Sequence, residues 1–282
     1  MLIGMMAGHY DPDVSVFERK LQMLSEIGYT CIDYQGLVDT DTELFSMDDA
    51  AFDAYLLSHK RILDKMGMRA FQVHGPWQWP PVDDTEEGRS ERFEKMSKAI
   101  RGTALLGCDR MILHNLMPSR RIDTDPVYVK ELNAAFFTRL CEVARPYGVT
   151  ICLENMPFAC QCLARPRQTL EFVKSLGLDN LRVCLDTGHA EVVGTSPAAA
   201  VRMIGKENLY ALHVHDTDGL RDRHWIIGDG VIDWKDFGAA LREIGFDGCF
   251  SIETVVSITL PEDEQRKQLQ RLFNEATRIL GQ

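Results

Sequence analysis

Short apolar runs alternate with longer amphipathic stretches along the whole chain. The runs at 2–7, 30–35, 68–74, 110–114, 149–154, 181–186, 209–215 and 249–254 have the length and residue types of strands. Several are apolar almost throughout, such as Met111-Ile112-Leu113 and the run holding Val149, Ile151, Cys152 and Leu153. That pattern suits parallel strands covered on both faces. Between the runs, apolar residues recur at three- and four-residue spacing. Val14, Phe17, Leu21, Leu24 and Ile27 outline one helix, which Gly28 ends. Phe52, Leu56, Leu63 and Met66 lead to Gly67, and Phe93, Met96, Ile100, Ala104 and Leu105 lead to Gly107. Leu132, Phe136, Leu140 and Val143 lead to Gly148, where Pro146 reinforces the stop. Phe172 and Leu176 run into Gly177, and Phe237, Leu241 and Ile244 into Gly245.

Eight such units in 282 residues give about 35 residues per unit. Parallel strands joined by crossover helices build either an open doubly wound sheet or a closed barrel. An open dinucleotide-binding sheet carries Gly-x-Gly-x-x-Gly after its first strand, but here that turn reads Ala7-Gly8-His9-Tyr10. The pattern therefore predicts an α/β protein, a (β/α)8 TIM barrel forming a single domain over residues 1–282.

Composition narrows the partners. With 45% hydrophobic residues the chain has enough apolar surface for a core. No run approaches the roughly 18–20 apolar residues of a membrane span, so no membrane is expected as a partner. Lys+Arg 31 against Asp+Glu 42 gives a net charge of −11, which repels phosphate backbones and disfavours nucleic acid. Met1 to Tyr10 lacks the basic stretch that opens a signal peptide. Among the eight cysteines, Cys152, Cys184 and Cys249 sit in strand-like runs as small hydrophobes, and Cys160-x-Cys162 lacks the second pair of a zinc finger. Reduced thiols in a cytoplasmic protein are expected; a homo-oligomer is left open.

Active sites of such barrels lie at the C-terminal ends of the strands. Those ends hold His9, Asp33, His74, His114, Glu154, Asp186 with His189, His213 with His215, and Glu253. Any one has an ordinary explanation, such as an aspartate capping the next helix. All eight strands ending in divalent-metal ligand types is another matter. His74 to His114, His114 to Glu154 and His213 to Glu253 are each 40 residues apart, about one unit, so the side chains come from successive strands. Three carboxylates facing one mouth repel one another unless a cation neutralises them.

Leu153-Glu154-Asn155, Val183-Cys184-Leu185-Asp186-Thr187-Gly188-His189 and His213-Val214-His215-Asp216 resemble motifs of the xylose-isomerase-like barrel superfamily. Gly228-Asp229-Gly230-Val231-Ile232-Asp233-Trp234 and Ser251-Ile252-Glu253-Thr254 extend the resemblance over essentially the whole chain. That superfamily includes sugar-phosphate isomerases and epimerases, ketose 3-epimerases, inosose dehydratases and endonuclease IV. The resemblance implies that Glu154, Asp186, His213 and Glu253 hold one divalent ion, with His215 as the other candidate on the seventh strand. Mn²⁺ or Mg²⁺ suits an oxygen-rich site; more histidines favour Zn²⁺ or Co²⁺. It also makes Glu154 and Glu253 the acid and base of an enediolate reaction on a small carbohydrate.

His189 and His215 would contact substrate, with His189 alternatively on a second metal. His74 and His114 are further candidates for substrate contact; together with Asp222 and His224 they also match residues that in endonuclease IV help hold three zinc ions. Trp77 and Trp79 could wall the sugar's apolar face, and Arg221 or Arg223 could meet an acidic group. The expected function is a metal-dependent sugar or sugar-phosphate isomerase or epimerase. The alternatives are an inosose-type dehydratase on the same site, an endonuclease IV-like phosphodiesterase, and a non-catalytic sugar-binding barrel.

Overall fold

The computed structural model describes residues 1–81, 83–119 and 122–281. Its strands are β1 (Leu2–Ala7), β2 (Cys31–Tyr34), β3 (Arg69–His74), β4 (Arg110–Leu113), β5 (Thr150–Glu154), β6 (Leu181–Asp186), β7 (Leu209–His213) and β8 (Cys249–Ile252). All pair in parallel in the order β7-β6-β5-β4-β3-β2-β1-β8. Val214 closes the ring: it bridges Ile252, its N–H donates to Ser251 O at 2.8 Å, and its carbonyl accepts from Glu253 N at 3.0 Å. The result is the single-domain (β/α)8 barrel that the alternating pattern predicts.

The helices are α1 (Val14–Ile27), α2 (Glu43–Ser46), α3 (Asp49–Lys65), α4 (Glu86–Leu105), α5 (Pro126–Ala144), α6 (Pro166–Leu176), α7 (Thr187–Val192), α8 (Pro197–Ile204), α9 (Trp234–Glu243) and α10 (Glu262–Leu280). Asp13 caps α1 by accepting from Ser15 N, and the chain leaves the helix at Gly28 with φ 120°, a value that L side chains resist. Its Phe17, Leu21, Leu24 and Ile27 are buried, as their spacing requires. The apolar spacing does not single out α7, which is six residues long, or α8, which is eight.

Alternation along each strand separates two cores. Leu113, Leu153, Leu185 and Leu212 point outwards into the large core beneath the helices, each burial contributing about 1.5–3 kcal/mol. Ile112, Cys152, Cys184 and Ala211 form a separate buried cluster. Each lies two residues before His114, Glu154, Asp186 or His213, so this cluster is the floor under the strand ends. All eight cysteines are free thiols, and all but Cys160 are buried. No helix among the described residues is long and apolar enough to cross a membrane.

The segment between β7 and α9 is folded around one carboxylate. Asp216 accepts from Thr217 N and Gly228 N at 2.9 Å, Ile232 N at 3.3 Å and the Trp234 indole N–H at 2.8 Å. A Cβ on Gly230 would lie 2.2 Å from Asp216 Oδ1 and from Thr217 O, so the glycine is required by close approach. The Gly-Asp-Gly run is thus the frame of a loop that carries Asp222 and His224 back to the mouth.

Candidate active site

Glu154, at the end of β5, occupies the centre of the mouth. His213 Nδ1–H donates to its Oε1 and His114 Nε2–H to its Oε2, both at 2.9 Å. The other His213 nitrogen donates to Asp33 Oδ2 at 2.8 Å, and Gln72 Nε2 donates to the same oxygen at 2.8 Å. Asp33 therefore stands behind His213 and fixes its ring. Glu253 Oε2 lies 3.4 Å from His213 Nδ1. Glu154, Asp186, His213 and Glu253 each offer one ligand atom, and these atoms lie within 4.8 Å of one another. His74, Glu154 and His213 form a second such group. The His74 Nδ1–H donates to Gly75 O at 2.9 Å, leaving its Nε2 lone pair for the mouth.

His189, His215, Asp222 and His224 form a third group on the same 4.8 Å criterion. Asp186 serves two purposes here: Oδ1 caps α7 by accepting from His189 N at 2.6 Å, while Oδ2 accepts from His215 Nε2 at 3.0 Å. Asn155 ties β5 to β6, donating to Asp186 O at 3.1 Å and accepting Asp186 N at 2.9 Å. Asp222 accepts from His189 Nε2 at 3.1 Å and His224 Nε2 at 3.2 Å. His224 has φ 49°, in the left-handed region, and is held there by its Nδ1–H to Glu253 O at 2.7 Å and by stacking on His215 at 4.0 Å.

Burial favours the neutral forms of Glu154, Asp186, Asp222 and Glu253, and the neighbouring histidines oppose it. Burial raises the Glu154 pKa, but His213 and His114 outweigh it and hold the carboxyl well below its ordinary value. Burial pushes Glu253 up to about 8, with His213 and His224 only partly opposing. Burial also works against the His213 cation, yet Glu154, Glu253 and Asp33 hold its pKa well above the usual range. Burial takes His74 down to about 4, helped by the charges of His114 and His213.

The structure brings together Glu154, Asp186, His213, Glu253, His74, His114 and His189. His215 is also at the mouth. The regular strand stops at His213, and the His215 ring is fully buried beneath His224 with Nε2 on Asp186. Arg223 stays outside the groups: its Nε donates to Asp218 Oδ2 at 2.9 Å and its guanidinium lies 5.6 Å from the Trp225 ring. His9 is exposed at the rim. Trp77 meets the His114 ring edge-on at 4.3 Å. Sequence reasoning missed Gln72 and a buried ion pair, Arg92 with Asp83 at 2.5 Å, whose guanidinium also donates to His114 O at 2.9 Å.

Known proteins with similar sequences or folds agree with this architecture. The xylose isomerase-like TIM barrel family matches residues 21–276. An uncharacterised protein of Methanocaldococcus jannaschii is 34% identical over 188 residues, 64% of this chain and 63% of that protein. The inosose isomerase of Bacillus velezensis is 28% identical over 176 residues, 60% of this chain and 61% of the relative. The chain thus spans about three fifths of the length of these curated relatives. A crystal structure of D-psicose 3-epimerase in the presence of D-fructose superposes with a TM-score of 0.79 at 17% identity, covering 100% of both chains. The IolI protein with a bound zinc atom gives 0.74 at 17% identity, covering 99% of this chain and 98% of the other. With its eight-stranded barrel, its strand-end ligand groups and a match over nearly its full length, the chain belongs to the xylose isomerase-like TIM barrel family.

Proposed function

We propose that the protein is a metal-dependent isomerase or epimerase acting on a small sugar, a polyol ketone or a sugar phosphate. The observation that carries the reading is the convergence of Glu154, Asp186, His213 and Glu253 within 4.8 Å at the C-terminal mouth of the barrel. Three carboxylates and one imidazole are a fitting donor set for a divalent ion, with Mn²⁺ or Mg²⁺ suited to the oxygens. The zinc in the IolI structure and the histidine-rich neighbouring groups support Zn²⁺ or Co²⁺ as the alternative. Relatives named inosose isomerase and D-psicose 3-epimerase support the substrate class.

When bound, the ion would act as a Lewis acid on the substrate carbonyl. The chain's own residues handle the proton. Glu154, kept ionised by His213 and His114, takes the proton from the carbon beside the carbonyl. Glu253, across the mouth after β8, delivers a solvent-derived proton to the other face, and Glu154 passes the one it took back to solvent. Two carboxylates on strands β5 and β8 permit return to the opposite face, which is inversion. His189, aimed by Asp222 and by the Asn155 carbonyl, is placed to contact substrate hydroxyls. Loss of a neighbouring hydroxyl from the same enediolate would make the enzyme an inosose-type dehydratase.

Proton NMR of ketoses and cyclic polyol ketones in heavy water, with added Mn²⁺, tests this. Solvent deuterium should enter the substrate, and Glu154→Gln and Glu253→Gln should each abolish turnover while one retains exchange. Turnover without any deuterium uptake would refute the two-glutamate path in favour of a hydride shift.

The three adjoining ligand groups favour a second reading, an endonuclease IV-like phosphodiesterase with several ions. The net charge of −11 opposes it. Nicking of abasic DNA without sugar activity would decide for it.

A further inference from the structure

We propose that Cys31 and Cys249 are a redox modification site, at which hydrogen peroxide converts two thiols into a disulfide that ties β2 to β8 across β1. The bridge fastens the N-terminal end of the barrel, opposite the ligand groups, and the proposal stands apart from the sugar reading.

Cys31 opens β2 and Cys249 opens β8, while β1 runs between them and pairs with both. The two thiols share the inner face of the barrel with Asp33 and Glu253, which follow on the same strands. Side chains on next-but-one strands meet where the strand between them has no side chain of its own. Here that place is Gly4, the ladder partner of Cys31. A Cβ on Gly4 would lie 2.7 Å from the Cys249 sulfur and 3.1 Å from the Cys31 sulfur. The glycine thus leaves the gap in which the sulfurs touch, 3.3 Å apart, although 218 positions separate them in the chain. Sulfurs already in contact meet the first geometric demand of a bridge.

The surroundings also separate this pair from the other cysteines. Burial pushes the thiols of Cys108, Cys141, Cys152 and Cys162 up to about 12, where the attacking thiolate is scarce. Cys31 moves the other way: the hydrogen bond from Cys249 and the charge of Arg69 lower its pKa against burial. Burial and the Cys31 contact raise Cys249 well above its ordinary value, so the two sulfurs have different roles. Arg69 pairs with Cys31 and is itself exposed, which places the thiols at the solvent end of the barrel, where a small peroxide enters. The Cys31 thiolate attacks one peroxide oxygen, the O–O bond breaks, and hydroxide leaves and is protonated to water. The Cys249 thiol then attacks the sulfenic sulfur, the S–O bond breaks, and a second water leaves as the S–S bond forms. Two thiols are oxidised and one peroxide is reduced to two waters.

The test uses the full folded chain carrying Cys160→Ser, which removes the exposed thiol. Hydrogen peroxide should lower its mass by about 2 Da, and peptide mapping should find Cys31 joined to Cys249, a link that dithiothreitol reverses. Because the bond joins positions 218 residues apart, the oxidised protein should melt about 5 °C or more above the reduced one. Adding Cys249→Ser should stop the reaction at a Cys31 sulfenic acid that dimedone labels, and adding Cys31→Ser should leave Cys249 unlabelled. Both thiols intact after peroxide, a link between other cysteines, or Cys31 oxidised further without a link overturns the proposal. A Cys31–Cys249 link that leaves the melting temperature unchanged overturns the fastening.

Discussion

Replacing Asp33 by asparagine isolates the group behind His213. Asp33 Oδ2 accepts from His213 Nε2 and Gln72 Nε2, each at 2.8 Å, and all three residues are fully buried. The amide is isosteric, and its oxygen must take over the position of Oδ2 because both neighbours donate. The bonds then survive without their charge. A hydrogen bond to a charged group contributes about 1.5–3 kcal/mol and a neutral one about 0.5–1.5, so His213 loses on the order of 1 kcal/mol of orientation and basicity. Changes to groups behind a ligating histidine weaken metal binding about 10–100-fold, or about 1.4–2.8 kcal/mol. Asp33→Asn should therefore weaken Zn²⁺ or Mn²⁺ by that factor in competition with a chromophoric chelator. The new amide N–H₂ would face the place of Oδ1, which has no hydrogen-bond partner among the described residues. Burying it unpaired costs about 1–3 kcal/mol, so the chelated protein should melt a few degrees lower. A lower melting temperature with unchanged metal affinity would refute the argument and make Asp33 a purely structural residue.

His213→Ala should abolish tight metal binding, whereas His215→Ala, which removes a partner of Asp186 Oδ2, should leave about one ion per chain and impair turnover; elemental analysis after dialysis distinguishes them, and the reverse pattern would refute the assignment. Metal uptake should release protons, because Glu253 titrates at about 8 and His213 well above its ordinary value before an ion displaces their protons. Affinity should accordingly rise with pH up to about 8, read by calorimetry in buffers of different ionisation enthalpy. A carboxyl raised from 4.5 to about 8 on folding contributes stability that is full below 4.5 and lost as pH climbs through 8. The chelated protein should lose that part of its stability over this range, and Glu253→Gln should flatten the dependence.

The barrel and the convergence of Glu154, Asp186, His213 and Glu253 are legible in the sequence because both obey a period. Buried parallel strands are apolar runs, and side chains that converge on the axis recur once per unit, as the 40-residue steps through His74, His114 and Glu154 do. Contacts that obey no period are not legible. Gln72 looks like any polar residue in a strand until the barrel turns it onto Asp33. Arg92 reaches from α4 to the His114 carbonyl, and no spacing in α4 marks it. His215 follows the two-residue rule from His213, but the rule presumes that the strand continues, and the loop built on Asp216 covers the ring with His224. Arg223 has the right charge in the right loop, yet Asp218, five residues earlier, takes its Nε.

The pairing order has a consequence for how the molecule is assembled. Most neighbouring strands share four residue pairs, but β7 and β8 meet only through Val214. His213 and Glu253 sit on either side of that seam, 3.4 Å apart at their nearest atoms. An ion gripping both would work as a clasp, fastening the thinnest join in the cylinder. The ring is complete only when β8 pairs with β1 on one edge and with Val214 on the other. A chain lacking that strand would carry Glu154, Asp186 and His213 but not the Glu253 that completes the grip.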